Sequence, residues 1–180
     1  MNGAGDVSGV SIEEAALCDA VALVRLINLA YRVEDFFKAV DRTNLDEVRA
    51  CFEREQFLVA RDSEGELLGC IRYRAAPPEG HFGILAVHPD AQGRGIARRL
   101  IEAAEVRCRQ AGCRALTLEV ASPRTELPPL YERFGFRGCR HQALAGPRPA
   151  RAQAAGTLHR YVQRTRTITR GGNPWLTQYG

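Results

Sequence analysis

The 180 residues contain one lysine, one methionine and one tryptophan, and no acidic residue follows Glu132. The sequence also lacks an apolar run of about 18 residues, the length that a helix needs to cross a bilayer. Its first residues lack the basic and apolar segments of a signal peptide. These absences argue against membrane-spanning and secreted classes. We expect one soluble domain in the cytoplasm, because a chain of this length can bury a single hydrophobic core.

The six cysteines form no Cys-x-x-Cys pair, and none combines with histidine at the spacing of zinc ligands. Cys70 lies in an apolar stretch, and Cys108 lies on the apolar side of a predicted helix. We therefore expect free and mostly buried thiols rather than a disulfide framework, and no metal site.

The charge is unevenly distributed along the chain. All 21 acidic residues and sixteen basic ones lie at or before Glu132, so this part has a net charge of −5. The last 48 residues carry nine arginines and no acid, a net charge of +9. Lys38 is the only lysine, which indicates a codon bias rather than a nucleic-acid-binding arm. Nucleic acid is therefore not the expected partner.

An apolar strand predicted at residues 82–87 leads into a turn with two glycines, Gly93 and Gly95, and a helix begins near Ile96. The N–H groups of a first helical turn and the helix dipole together favour an anion. Glycine lets the backbone come close to a bulky phosphate. Two arginines beside the turn could add charge-assisted bonds: Arg94 and Arg98.

The helix after the glycines has regular helical spacing. Gly112 suits the position after its last turn, and residues 115–120 then alternate as a strand. A strand, a helix of about 15 residues and a second strand form a crossover unit in a mixed sheet. The apolar residues of this helix recur every four positions: Ile96, Leu100, Ala104 and Cys108.

Earlier segments predict two helices and a hairpin. A first strand is expected at 10–14, Asp19 could cap a helix that runs through Tyr31, and Thr43 could cap a second one. Residues 56–74 predict a hairpin around an Asp-Ser-Glu-Gly turn.

The glycine turn is neither a P-loop, since no Gly-Lys-Ser/Thr follows, nor a dinucleotide fingerprint, which would need glycine at Arg98. Residues 92–97, Gln-Gly-Arg-Gly-Ile-Ala, resemble the Gln/Arg-x-x-Gly-x-Gly/Ala signature of the GCN5-related N-acetyltransferase (GNAT) family. Residues 130–136, Leu-Tyr-Glu-Arg-Phe-Gly-Phe, resemble the family's Leu-Tyr-x-x-x-Gly-Phe segment. One departure is Arg124, which stands where the family often has an asparagine that touches the coenzyme.

The resemblance covers residues 10–138. It implies an α/β fold with a mixed, mostly antiparallel sheet flanked by helices and a splayed central strand pair. It also implies acetyl-CoA as the acyl donor and direct transfer of its acetyl group to a primary amine. The implied coenzyme-binding residues are those of the fourth strand and the turn: Leu85, Ala86, Val87, Gln92, Gly93, Arg94, Gly95, Ile96, Ala97 and Arg98.

By the same resemblance, Tyr131 is the general acid that protonates the departing thiolate, although a core tyrosine would show the same pattern. The N–H group of Val87 would stabilise the oxyanion. The general base stays open, because neither Gly83 nor Ile84 is acidic. The candidates are three side chains or an ordered-water relay with a distant carboxylate: His81, Glu79 and His88.

The acceptor is expected to be the amine of a small molecule or a peptide, in a cleft lined by residues 32–42. Glu34, Asp35 and Asp41 could attract a cationic amine there, or they could form a solvated loop. The sequence leaves the oligomeric state open, with a homodimer as one option.

We expect a flexible N-terminus at 1–9, an acetyltransferase domain at 10–138 and an atypical acid-free tail at 139–180. The tail is rich in Ala, Gly, Pro and Arg, and it should be poorly ordered or add at most one weak edge strand within 159–168.

Two other functions remain open at this stage. A catalytically silent module that binds or senses acyl-CoA would keep the glycine turn without a catalytic base. A ribosomal-protein acetyltransferase would use its basic tail as an arm that binds nucleic acid or the ribosome.

Overall fold

A computed structural model describes residues 9–32, 41–121, 127–139 and 158–164. The strands are β1 (Ser11–Glu14), β2 (Gln56–Arg61), β3 (Leu67–Ala76), β4 (Glu79–Val87), β5 (Ala115–Ala121), β6 (Arg137–Cys139) and β7 (Leu158–Arg164). The helices are α1 (Ala20–Ala30), α2 (Leu45–Phe52), α3 (Ile96–Gln110) and α4 (Leu127–Arg133), with 3-10 turns at Leu17–Asp19 and Pro89–Ala91.

The described strands form one seven-stranded sheet in the order β1-β2-β3-β4-β5-β7-β6. Neighbouring strands pair antiparallel except β4 and β5, which are parallel. This confirms the predicted α/β fold with a mixed, mostly antiparallel sheet flanked by helices.

The core lies on both faces of the sheet, because successive side chains of a strand point to opposite faces. Leu58 and Ile71 belong to the cluster that includes α3 and α4. Val59 and Cys70 belong to the cluster beneath α1 and α2. The predicted apolar side of α3 is confirmed, since four of its residues are at most 1% exposed: Ile96, Leu100, Ala104 and Cys108.

Two helix starts differ from the prediction in detail. Asn44, not Thr43, caps α2, and its Oδ1 accepts from the backbone N–H of Glu47 at 2.9 Å. Asp19 stands at the start of α1 without capping it. One of its carboxylate oxygens pairs with Arg61 at 2.6 Å, and the other accepts from the backbone N–H of Ala16 at 2.9 Å.

Cys18 and Cys51 are free thiols, as predicted, and so are three buried cysteines: Cys70, Cys108 and Cys113. Within the same ranges no cluster of His, Cys, Asp and Glu could hold a metal ion. None of the described helices is long and apolar enough to span a membrane.

The strand expected in the tail occurs as β7, but its place differs from the prediction. β7 pairs with β5 along its whole length and with β6 on its other side, so it is an interior strand. Tyr161 is 7% exposed and lies in the cluster with α3. The division of the chain at residue 138 stays a prediction, since residues 1–8, 140–157 and 165–180 lie outside the described ranges.

Candidate active site

The parallel strands β4 and β5 are paired at their beginnings only. The last of their three pairs joins His81 to Thr117. Beyond it, β4 continues along β3 while β5 continues along β7 as far as Ala121. The central strands therefore diverge, which confirms the predicted splayed pair. We call the gap between residues 82–87 and 118–121 the opening.

A β-bulge in β4 lies where the strands diverge. Phe82 and Ile84 pair with consecutive residues of β3, so Gly83 between them has no partner there. A bulge bends its strand and increases the local twist, which turns the end of β4 away from β5. Position 83 has no room for a side chain as it stands, because a Cβ would lie 2.4 Å from Nη2 of Arg72.

Two residues at the end of β4 direct backbone groups into the opening. The amide of His88 donates to the carbonyl of Leu68 on β3 at 2.8 Å. The backbone N–H and C=O groups of successive strand residues point to opposite edges of the strand. The backbone groups of Ala86 therefore also face β3, and those of Leu85 and Val87 face the opening. Of the three strand residues expected to bind a pantetheine arm, Leu85 and Val87 thus present N–H and C=O groups to the opening.

A tight turn connects the end of β4 to α3. Nδ1 of His88 accepts from the backbone N–H of Asp90 at 3.3 Å, and Nε2 of Gln92 donates to the carbonyl of Val87 at 3.4 Å. Ala91 between them is 2% exposed. These contacts hold the turn against the end of the strand, so the side chain of Gln92 is part of the turn's own framework.

Gly93 and Gly95 adopt the left-handed conformation, with φ of +76° and +80°, which L-residues rarely adopt. A Cβ at either position would meet no atom within 4 Å, so the space beside the turn is open. Gly95 is the N-cap of α3 and supplies no side-chain cap, and Ile96 and Ala97 form the first turn. The backbone N–H groups and the positive end of the dipole can therefore receive a phosphate.

Two arginines flank this turn. Arg94 is partly exposed, and the side chain of Arg98 is 63% exposed. Arg98 donates to Glu102 one helical turn later at 2.8 Å. An exposed pair of this kind is weak, so Arg98 can exchange it for a phosphate at small cost.

Tyr131 lies in the core beside the start of the opening. It is 8% exposed, and its ring centroid lies 6.0 Å from those of Phe82 and Phe136. Phe82 follows the last β4–β5 pair directly. The ring is thus packed like that of a core tyrosine, next to the start of the opening, and the catalytic role of its hydroxyl stays a prediction.

The comparisons with known proteins agree with this geometry. A family model for the acetyltransferase (GNAT) family matches residues 22–136. The chain belongs to the GNAT family. One relative, the IAA acetyltransferase of Azospirillum brasilense, is 37% identical over 127 residues, which are 68% of this chain and 80% of that protein.

A mycothiol acetyltransferase of Propionibacterium freudenreichii subsp. shermanii is 34% identical over 110 residues, 58% of this chain and 35% of that protein. The GNAT chain described here therefore spans about a third of the length of this relative. The PaiA N-acetyltransferase of Thermoplasma acidophilum, solved in complex with coenzyme A, has the same fold. Its TM-score is 0.67 at 14% identity, with 86% of this chain and 98% of that chain covered.

His81 differs from the other base candidates in its surroundings within this GNAT fold. It is partly exposed, and its Nδ1 lies 3.2 Å from the hydroxyl oxygen of Thr117. Burial, together with the positive charges of Arg72, Arg74 and Arg160, lowers the pKa of His81 to about 4. The imidazole is therefore neutral at pH 7.

Sequence patterns do not single out three residues that the GNAT fold brings to the opening: Tyr31, Arg72 and Thr117. Tyr31 comes from the end of α1, Arg72 from β3 and Thr117 from β5, so sheet register and the packing of α1 on the sheet bring them to the opening. The alternation along β5 only separates Thr117 from the apolar residues of that strand, so the sequence gives no indication of its role.

The predicted acceptor region is described only at its ends. Residues 33–40, with Glu34 and Asp35, lie outside the described ranges, as does Arg124. Asp41 is exposed. The role of the acidic residues toward the acceptor accordingly stays a prediction.

Proposed function

We propose that this protein transfers an acetyl group from acetyl-CoA directly to a primary amine of a small molecule or a peptide. One observation carries the proposal. The edge of β4 that β5 leaves unpaired runs directly into the left-handed glycine turn at the start of α3. Hydrogen-bonding groups for an extended amide chain and an anion site thus follow each other along one path.

The described residues fit acetyl-CoA, which supplies the acetyl thioester. The open space at Gly93 and Gly95 suits a pyrophosphate, with the N–H groups of Ile96 and Ala97 and the charges of two arginines around it. The backbone groups of Leu85 and Val87 suit the amides of a pantetheine arm, which pair best with strand-like partners.

The chemistry needs a neutral amine and a protonated leaving group. The hydroxyl of Tyr131 would give its proton to the departing sulfur. The N–H of Val87 would stabilise the negative charge that develops on the acetyl oxygen, since it faces the opening. No residue of this reaction requires a metal ion.

The names of the relatives support acyl transfer without naming this protein's acceptor. The mycothiol and IAA relatives are both named acetyltransferases, and the PaiA structure contains coenzyme A. This chain spans only part of the mycothiol enzymes, so their name does not identify its acceptor. We place the activity in the cytoplasm, where acetyl-CoA is available.

The decisive experiment combines coenzyme binding with turnover of the full chain. Calorimetry should show binding of acetyl-CoA, and a thiol-release assay should respond to at least one member of a panel of amino acids, polyamines, amino sugars and peptides. The product should gain one acetyl group by mass spectrometry. Binding without thiol release across the panel would favour the silent acyl-CoA-binding module, and absence of binding would overturn the proposal.

A further inference from the structure

A chain of two hydrogen bonds fixes the proton on His81. The hydroxyl of Thr117 donates to the carbonyl of Gly80 at 3.0 Å, because a carbonyl can only accept. The same hydroxyl oxygen lies 3.2 Å from Nδ1 of His81. The hydroxyl of Thr117 has one proton, which the bond to Gly80 uses. Because Thr117 is 5% exposed, we expect both bonds to form, and they form together only when Nδ1 of His81 donates.

This arrangement leaves Nε2 of the neutral imidazole without a proton. Nε2 is then the basic nitrogen of the ring and can take a proton. His81 is partly exposed, whereas its hydrogen-bond partner Thr117 and the residue Gly80 are buried.

His81 lies in the sheet at the point where the opening begins. The His81–Thr117 pair is the last between β4 and β5, and the opening begins at the next residue. Gly80 and Phe82 face the cluster with α3, since a Cβ at 80 would contact Cys108 and Phe82 is a member of that cluster. His81 therefore faces the α1 and α2 side, where Tyr31 reaches Leu85.

The charged groups around the ring come from four strands: Arg72 and Arg74 of β3, Glu79 of β4, Glu119 of β5 and Arg160 of β7. Arg72 pairs with Glu55, and Arg160 pairs with Glu79. Burial and the charges of the arginines oppose protonation of the resting ring, so the ring rests in the neutral form in which Nε2 can accept a proton.

We propose that Nε2 of His81 is the general base that takes the proton from the acceptor amine, and that Thr117 is the positioning residue that fixes its tautomer. This inference rests on the proposed acetyl transfer. The amine nitrogen forms a bond to the acetyl carbon, and the carbon–sulfur bond breaks. One N–H proton passes to Nε2, and the sulfur takes a proton from the hydroxyl of Tyr131.

The other candidates are less suited to this role. The carboxylate of Glu79 is engaged by the guanidinium of Arg160. His88 lies at the far end of β4, and its Nδ1 accepts from the backbone of the turn. Among these three described side chains, His81 alone combines a fixed tautomer with a place at the start of the opening.

The first test reads the tautomer in the protein without any substrate. Nitrogen NMR of the ¹⁵N-histidine-labelled chain at pH 7 should show His81 with a protonated Nδ1 and an unprotonated Nε2. The signals are assigned by their loss in His81→Asn. A protonated Nε2 in the resting protein would overturn the proposal.

The second test separates the base from its hydrogen bond. His81→Asn keeps a side-chain N–H that can donate to Thr117 and removes Nε2. We expect kcat to fall about 10²–10⁴-fold, with the Kd of acetyl-CoA unchanged. Turnover equal to wild type, in a variant that still binds acetyl-CoA, would overturn the role of His81.

The third test changes Thr117. Thr117→Val keeps the shape and removes the hydroxyl, so His81 should populate both tautomers in the NMR spectrum and kcat should fall about tenfold. Thr117→Ser should restore the single tautomer and most of the rate. An unchanged tautomer in Thr117→Val would refute the positioning role.

Acetyl-CoA binding and thiol release by the wild type separate a failure of the proposed acetyl transfer from a failure of the role of His81. A wild-type protein that releases no thiol with any amine refutes the proposed function and this inference together. A wild-type protein that is active beside an equally active His81→Asn refutes the inference alone.

Discussion

The hydroxyl of Tyr31 donates to the backbone carbonyl of Leu85 at 3.4 Å, which joins the end of α1 to the edge of β4 that faces the opening. The guanidinium carbon of Arg42 lies 5.3 Å from the centroid of the same ring. The end of α1 is therefore tied to β4 beside the opening, and we predict that it forms a wall against which an acceptor binds.

Tyr31→Phe tests this wall, because it keeps the ring and removes the donor. We expect the free energy of unfolding to fall by about 0.5–1 kcal/mol, since the bond is long and the partly buried carbonyl can turn to water. KM for the acceptor should rise more than kcat falls. Urea denaturation and steady-state kinetics measure both effects. Unchanged values for both would show that the contact does not shape the acceptor side.

The glycine turn is tested by Gly95→Asp, which puts a carboxylate into the open space where a pyrophosphate would bind. We expect acetyl-CoA binding to be lost through charge repulsion. Gly65→Asp is the matched control, because Gly65 also has a left-handed φ, +86°, with no atom within 4 Å of a Cβ. Both variants should lose similar stability, on the order of 1 kcal/mol. Calorimetry that shows equal affinity in both would refute the anion site.

The glycine turn could be predicted because its signals are local. The strand stop at Pro89, the two glycines and the four-residue spacing of α3 all lie within one stretch of sequence. Each signal reports a backbone preference that neighbouring residues fix by themselves. The left-handed φ at Gly93 and Gly95 and the buried side of α3 follow these signals.

Features that depend on sheet register could not be predicted in this way. The bulge at Gly83 arises from the pairing of β4 with β3, and the side chain of Arg72 takes the space. The apolar alternation of β7 is thin, yet β7 lies inside the sheet because its backbone groups pair on both sides. Strand preference reflects such tertiary neighbours more than the residues themselves.

Tyr131→Phe tests general-acid catalysis by removing the hydroxyl and keeping the packing against Phe82 and Phe136. We expect kcat to fall about 10²–10⁴-fold, with little change in the Kd of acetyl-CoA. Tyr73→Phe is the matched control, since Tyr73 is 4% exposed in the same core cluster but lies on β3. Equal turnover of the two variants would return Tyr131 to a packing role.

The last prediction concerns the stability of the fold as the pH falls. The folded protein lowers the pKa of His81 to about 4, chiefly by burial, whereas an unperturbed histidine titrates near pH 6.5. Between these values the unfolded chain binds a proton that the folded chain does not, so this contribution to stability is present above pH 6.5 and is lost toward pH 4. The loss is on the order of 3 kcal/mol.

His81→Asn removes this titration and leaves the carboxylates that titrate at low pH in place. Unfolding free energies of both proteins, measured by urea denaturation from pH 7.5 to 4, should therefore show a steeper decline for the wild type. The difference should develop below pH 6.5, because the imidazole is neutral in both states above it. Parallel curves would mean that His81 titrates at its ordinary pKa. The folded protein would then not lower the pKa of the ring at the start of the opening.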